Sequence, residues 1–275
     1  MIHKIVILCS YTGTILTDRP KIVGLSPKFK AIGAEMTEHT FRKFDVEMDE
    51  ICSELLRMGG CVESMINDAI QAVVTGDANL IDRVKENEKE VNRIEVAVDE
   101  RIATIIALRQ PAGIDLRTLM AVAKMLTDME RSGDEAEKIA SMARRLHDDT
   151  KKFVPEIELQ HMSKAVAQML HEVMDAFARK DSVAAAAVVR SDKQVDKEWK
   201  STMRSLISYM IEDPRTISGG IDLLFVARSL ERIGDHSKNM AERVIFMVHG
   251  ADVRHKGVKA AERVVREGAQ SEGGT

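Results

Sequence analysis

Aromatic residues are scarce in this 275-residue chain: seven Phe, two Tyr and one Trp. Strands lean on aromatic and β-branched side chains for cross-strand packing, so the shortage argues against a sheet architecture. Proline is rarer still, with five in all, so few positions can interrupt a helix. The three cysteines, Cys9, Cys52 and Cys61, form no CxxC step. Cys52 and Cys61 lie nine residues apart, on opposite sides of a helix. That pattern excludes a disulfide framework and reads as free thiols in a reducing compartment. The apolar run at Ile5–Leu8 falls far short of the ~20 residues a membrane span needs, and of a secretory signal. The expected location is the cytoplasm, with no insertion into the membrane. Charge of one sign is lacking too: 40 basic against 44 acidic residues give −4. That balance argues against broad attraction to nucleic acid. The short basic stretch Arg254, His255, Lys256, Lys259 is the only local exception. No Gly-rich phosphate loop, GxSxG or HExxH is present, and no nucleophile stands with its base. No catalytic or cofactor-binding residue is therefore assigned, and the chain is not expected to be an enzyme.

What is present favours helix. Methionine is plentiful at 16 residues, and 31% of the chain is charged. Together with Ala, Leu, Glu, Lys and Arg, this predicts an all-α protein. Residues 1–35 stand apart, with Thr, Lys, Gly and Pro and no helical period; Met36 opens what reads as an ordinary protein start. Residues 1–35 are therefore expected to be a disordered leader or a misassigned start, with a short native extension as the plain alternative. The first helix is expected from Phe41 to Val74. Asp77 should cap a second, whose apolar stripe is Ile81, Val84, Val91, Ile94, Val98, Ile102 and Ile105, spaced by threes and fours. Pro111 and Gly113 should end it, and Asp115 should cap a third helix running to His147. After a charged linker, a fourth helix is expected over 157–179. Asp181 should cap a fifth, Pro214 break it, and Thr216 cap a sixth reaching Met247. A polar tail should follow Gly250, with at most a short helix.

The same features recur along the chain. Asp77 and Asp181 are 104 apart, as are Glu88–Asn92 and Asp192–Asp196. The offset is 103 between Pro111 and Pro214, and 101 between Glu130-Arg-Ser-Gly-Asp134 and Glu231-Arg-Ile-Gly-Asp235. This predicts two tandem three-helix bundles related by duplication, over 36–150 and 151–250.

Each repeat carries two four-residue steps of acids or their amide: Glu88 with Asn92 and Glu130 with Asp134, then Asp192 with Asp196 and Glu231 with Asp235. Residues four apart share a helix face, so each pair points one way. Like charges at this spacing repel, and a hard cation with oxygen ligands would offset the repulsion; Mg, Mn, Ca or iron would serve. The plain alternative is a solvated face neutralised by Lys89, Arg131, Lys193 and Arg232.

Gly133 and Gly234 fall at the same motif position in mid-helix, where Gly costs about 1 kcal/mol relative to Ala, which suggests a close crossing or a ligand. Gly59–Gly60 suggests packing or a kink. Glu158-x-x-His161 has the step used by di-iron bundles, but it occurs once and reads as a surface pair. His236 should face solvent or a neighbouring acid, His147 should mark a polar helix end, and Trp199 should anchor the second core.

These motifs also carry a family resemblance. Asp192-Lys-Gln-Val-Asp196, Met210-Ile-Glu-Asp-Pro214 and Ala227-Arg-Ser-Leu-Glu-Arg-Ile-Gly-Asp235 resemble the second half of the PhoU family. Met58-Gly-Gly60, Val91-Asn92 with Glu95, Leu108-Arg-Gln-Pro111, Asp115-Leu-Arg117 and Glu130-Arg-Ser-Gly-Asp134 resemble its first half. The resemblance runs from about Phe41 to Lys256. It implies multinuclear metal clusters on Glu88, Asn92, Glu130 and Asp134, and on Asp192, Asp196, Glu231 and Asp235, with iron, Mn, Mg or Zn as the metal. Asn92 departs from the Asp of the motif, and Ser132 from its Ile. The resemblance further implies a homodimeric cytoplasmic adaptor that represses the phosphate-starvation response. Its partners would be a sensor histidine kinase and the ATPase subunit of a phosphate transporter. Composition and spacing alone reach only tandem bundles with paired carboxylates. A metal-binding helical enzyme and a purely structural helical protein are the alternatives; the ligand set contains no His, which counts against the enzyme.

Overall fold

The computed structural model describes residues 27–148 and 159–272, with side chains over 43–148 and 159–270. The order is α1 (Pro27–Thr75), α2 (Ala78–Arg109), α3 (Ile114–Asp148), α4 (Gln160–Arg179), α5 (Ser182–Glu212), a 3₁₀ turn at Pro214–Thr216, α6 (Ile217–His249) and α7 (Val258–Glu272). Every described element is helical, as the composition predicts. No helix among the described residues is long and apolar enough to cross a membrane.

The chain divides into two units, residues 1–43 and 44–275. In the first, helix begins at Pro27, so residues 27–35 are not the irregular leader expected of them. Proline suits the first position of a helix, because its missing N–H has no intrahelical partner there. Residues 1–26, including Cys9, lie outside the described residues, as do 149–158 with Glu158 and the charged linker.

The second unit contains both three-helix groups. α1 buries Ile51, Leu55, Met58, Val62, Met65, Ile66 and Ala69. Their spacing of three and four residues puts them on one face. All seven stripe residues expected on α2 are buried. Asp77 caps α2 by accepting from the Asn79 N–H at 2.9 Å. Asp181 caps α5 by accepting from the Val183 and Ala184 N–H groups at 3.0 and 2.9 Å. Two expected caps differ. Asp115 sits inside the first turn of α3, where its charge favours the helix N-terminus. Thr216 occupies the cap position of α6, but its hydroxyl donates back to Asp213 O at 2.7 Å.

α3 and α6, the third helices of the two groups, pack against one another at the centre, with α2 on α3 and α4 and α5 on α6. Their burial patterns superpose at an offset of 101 from Leu119 and Gly220 through Ala143 and Val244. The core is continuous across both groups. Beyond Gly250 the chain is more structured than a polar tail: Val253, Ala261 and Val265 are buried, and α7 packs on α5 and α6. The apolar residues of α7 recur at helical spacing amid Lys, Arg and Glu, so one face docks while mean composition reads polar.

Candidate functional site

In each repeat the acids of adjacent helices lie close enough to raise one another's carboxyls. In the first group, burial pushes the Glu130 carboxyl of α3 up, and the charges of Asp134, Glu95 and Glu88 push it further. Glu88 and Glu95 belong to α2, so four carboxylates share one field. Burial likewise raises Glu95, reinforced by Asp99 and Asp134. Glu95 is a member of this cluster that the four-residue spacing missed. It stands three residues after Asn92, on the same helix face. Asn92 Nδ2 donates to Glu88 Oε1 at 2.5 Å, which leaves the Asn92 Oδ1 without a donor. An amide between carboxylates relieves their repulsion by a hydrogen bond that Asp could not supply.

In the second group, burial raises Glu231, with Asp235 and Asp196 adding to the shift. Burial raises Asp235 also, with Asp192 and Asp196 adding to it. Asp192 and Asp196 lie on α5, Glu231 and Asp235 on α6. The cations that answer this charge are Arg228, whose Nη1 donates to Glu231 Oε1 at 2.5 Å, and Lys238, whose Nζ donates to Asp192 Oδ2 at 2.7 Å. Neither is among the neighbours expected to neutralise the acids. Of those neighbours Arg131 does pull the Glu130 carboxyl down, whereas Lys89 and Lys193 are exposed and Arg232 turns instead to Glu135 at 2.8 Å. The adjacent position on a helix points about 100° away, whereas positions three and four apart share a face. Arg228 stands three residues before Glu231, and that spacing is the signal that finds it. Lys238 stands three residues after Asp235, whose carboxyl it pulls down, so the same spacing finds it; only its bond to Asp192 crosses from α6 to α5.

The glycines within the motifs serve the crossings. A Cβ on Gly133 would stand 3.4 Å from Val91 Cγ1, and one on Gly234 would stand 3.3 Å from Val195 Cγ1. The repeat partners thus meet repeat partners, holding α2 to α3 and α5 to α6 beside the acids. Gly59 does the same for α1, its side against Met174 of α4, whereas Gly60 faces open space.

The remaining candidates are placed as follows. His236 is buried and its Nδ1 lies 3.0 Å from Asp128 Oδ1 of α3, so it faces an acid and not solvent. His147 closes the α1–α2 turn, with Nε2 2.9 Å from Val73 O. His161 pairs with Glu198 at 3.0 Å. Trp199 is partly buried and packs against the core, and Arg228 sits over its ring, 5.8 Å from the centroid. Trp199 is the repeat equivalent of Glu95, 104 residues on, so the two clusters have diverged at this position. Cys52 and Cys61 are free thiols packed at the edge of the core.

Among the described residues no three His, Cys, Asp or Glu side chains converge as a ready metal site. Each cluster nevertheless has one buried oxygen without a donor, Asn92 Oδ1 in the first and Glu231 Oε2 in the second. Buried acceptors of this kind are costly unless something is bound to them. An all-oxygen donor set with raised carboxyls and an orphaned oxygen suits a hard cation.

The duplication is equally visible in comparison with known proteins. The PhoU domain matches twice, over residues 55–143 and 159–244, its two starts separated by the 104-residue offset of the acid motifs. The chain belongs to the PhoU family. It is 43% identical over 223 residues to the phosphate-specific transport system accessory protein PhoU homolog of Pseudomonas aeruginosa, covering 81% of this chain and 92% of that protein. The Escherichia coli phosphate-specific transport system accessory protein PhoU is 42% identical over 223 residues, with the same coverage. The crystal structure of PhoU from P. aeruginosa superposes with a TM-score of 0.73 at 42% identity, covering 76% of this chain and all of that one. That of the phosphate transport system regulatory protein PhoU from Streptococcus pneumoniae gives 0.71 at 25% identity, with 76% and 99% coverage. The first PhoU-domain match begins at residue 55 and leaves the first unit uncovered. In this PhoU-family chain the second cluster keeps four carboxylates, while the first holds Asn92 and recruits Glu95.

Proposed function

We propose that this protein is a negative regulator of phosphate uptake and of the phosphate-starvation response. It acts in the cytoplasm as a homodimeric adaptor between the ATPase subunit of a phosphate transporter and a sensor histidine kinase, and it is not itself an enzyme. The observation that carries this reading is the double PhoU-domain match, together with relatives named as accessory proteins of phosphate-specific transport along most of the chain. The site chemistry agrees with a binding role. The clusters offer carboxylates held by packed helices, with no His donor and no nucleophile beside a base.

In this reading the clusters hold a hard cation: iron, Mn, Mg or Zn. Glu88, Glu130 and Asp134 would supply ligands in the first group, with Asn92 as a neutral oxygen. Asp192, Asp196, Glu231 and Asp235 would supply them in the second. The cation would supply the positive charge that relieves the buried acids. Glu231 Oε2 has no other donor, and Arg228 must release Oε1 if both oxygens turn to the metal.

The test is alkaline phosphatase activity in phosphate-replete cells of the source organism. The strains carry the wild-type gene, a deletion, or Glu231→Ala with Asp235→Ala at normal protein level. High activity in the deletion is expected, and high activity in the double variant ties repression to the carboxylates. Low activity in the deletion, in a strain where starvation still induces the enzyme, removes the regulatory reading. If the double variant represses normally, the acids are structural and the metal role is lost.

A further inference from the structure

Two clefts flank the α3–α6 contact and occupy repeat-related places. One wall of the first is formed by Lys124, Thr127, Asp128 and Arg131 of α3. Shifted by 101 residues these become Phe225, Arg228, Ser229 and Arg232 of α6, which line the second. Arg243 closes the first cleft from α6, and its equivalent Met142 closes the second from α3. Duplication made the two alike; their charges have since parted.

In the second cleft every cation is answered. Lys138 and Arg232 both bind Glu135, at 2.9 and 2.8 Å, and Arg228 binds Glu231 at 2.5 Å. Phe225 and Met142 make the rest apolar. In the first cleft Lys124 stands where Phe225 does, and Arg243 where Met142 does. Lys238 is committed to Asp192, and Arg254 to Asp252 through two bonds of 2.9 and 3.0 Å from Nε. The acid Asp128 accepts from Asn239 and faces His236. Glu242 also lines the cleft, without an ion pair. Lys124, Arg131 and Arg243 make no ion pair with any described residue. Arg243 Nε is buried with no acceptor, and burial and the neighbouring Arg254 push its guanidinium below its ordinary value against the pull of Asp128, Asp252 and Glu242. The groove continues past Lys124 and Arg243 to Arg117, whose Nε is likewise buried without an acceptor. The two orphaned guanidinium donors, Arg243 Nε and Arg117 Nε, call for an acceptor that no described residue supplies.

We propose that the cleft between α3 and the α6–α7 connection binds a multiply charged anion of the phosphate class, with Lys124, Arg131 and Arg243 as its receptor. Guanidinium forks match phosphate oxygens two at a time, and Lys adds a mobile point charge. Five Lys and Arg side chains line the cleft against two acids, Asp128 and Glu242, so an anion is the complementary ligand. The cleft, of about 590 Å³, accommodates a small ligand. It is lined by none of the eight candidate metal ligands, so it is a separate site from the carboxylate clusters. The basic stretch Arg254–His255, too short to mean anything by itself in the sequence, gains its setting here against α3.

The test is titration calorimetry of the purified full chain with orthophosphate, pyrophosphate, ATP and citrate, in buffer stripped of metal by chelating resin. At least one phosphate-class anion is expected to bind, and its identity separates free phosphate from a phosphoanhydride or a nucleotide. Lys124→Ala with Arg243→Ala should weaken it by about tenfold or more, the scale of a lost charge-assisted contact. Lys138→Ala, in the repeat-related cleft, should leave affinity unchanged. If circular dichroism shows the double variant unfolded, Lys124→Ala alone decides, because Lys124 is exposed. No binding by wild type, equal binding by the variant, or equal binding of citrate overturns the proposal. The readout is on isolated protein in the absence of metal, so it succeeds or fails independently of the regulatory role.

Discussion

The Ser229 hydroxyl donates to Glu135 Oε2 across the α3–α6 contact, at 2.8 Å and out of water. Moved by one repeat, Glu135 becomes His236 and Ser229 becomes Asp128, and these two meet at 3.0 Å. The contact maps onto itself with the helices exchanged, so the duplicated halves face each other about a local two-fold relation. Glu135 carries the heavier load, because Arg232 and Lys138 also pair with it while half exposed. Glu135→Ala should therefore cost about 1–2 kcal/mol, less than a fully buried pair, since both cations regain water. Glu135→Gln should cost less, because Gln keeps an acceptor for Ser229. Urea unfolding measures both, and equal losses would mean that the charge, not the hydroxyl contact, matters.

The helix crossings at Gly133 and Gly234 differ by little, yet enough to order two variants. At Gly133 an added methyl makes ordinary contact with Val91, so Gly133→Ala should gain up to about 1 kcal/mol from helix propensity. At Gly234 the fit to Val195 is tighter, and the gain should be smaller or absent. Gly76 is a different case: its φ is +71° and a Cβ would meet the His147 ring at 2.8 Å. Gly76→Ala should lose about 1 kcal/mol or more. Thermal unfolding that ranked Gly76→Ala above Gly133→Ala would refute this account.

Much of this was legible beforehand, and for identifiable reasons. The α2 stripe from Ile81 to Ile105 and the caps at Asp77 and Asp181 are local signals, and periodicity and side-chain chemistry carry them directly. The repeat located the acid pairs. Arg228 and Lys238 stand three residues outside Glu231 and Asp235, a local signal, but the Lys238 bond to Asp192 crosses to another helix and no spacing along one helix gives it. Trp199 illustrates another limit. A large apolar side chain on a helix suggests core, and this ring does pack on it, but the Arg228 guanidinium of α6 over the ring is a contact between helices that no local pattern gives. Likewise Lys124, Arg131 and Arg243 are scattered along the chain and become one cleft only when α3 lies on α6.

Glu242 makes stability depend on pH. Burial holds its carboxyl above the ordinary 4.5, against the pull of Lys238, His255 and Arg243, with Asp252 adding to the rise. The folded state therefore binds this proton more tightly than the unfolded chain. Its contribution is fully present below about 4.5 and is lost as pH rises through the folded value. At pH ~7 the ionised group works against folding, so Glu242→Gln should raise Tm there. The advantage should shrink as the solution is acidified toward the unfolded value. A Tm difference that grew on acidification would reverse the assigned sign.

Arg228 links the only tryptophan to the second acid cluster, lying over the Trp199 ring while it donates to Glu231. A cation taken up at Glu231 and Asp235 competes with that guanidinium for the same oxygens. Its departure removes a positive charge from the ring face, and indole emission is sensitive to such a change. Adding Mg²⁺ to metal-free protein should therefore shift Trp199 emission and raise Tm together, because a ligand that binds only the folded state stabilises it. A chelator should reverse both. Glu231→Ala with Asp235→Ala should abolish both responses. Arg228→Ala should abolish the emission response while leaving the Tm response in place, or enlarging it, since the competitor is gone. A Tm rise in wild type with unchanged emission would place the bound cation away from Glu231, and the orphaned Asn92 oxygen of the first cluster would become the better address.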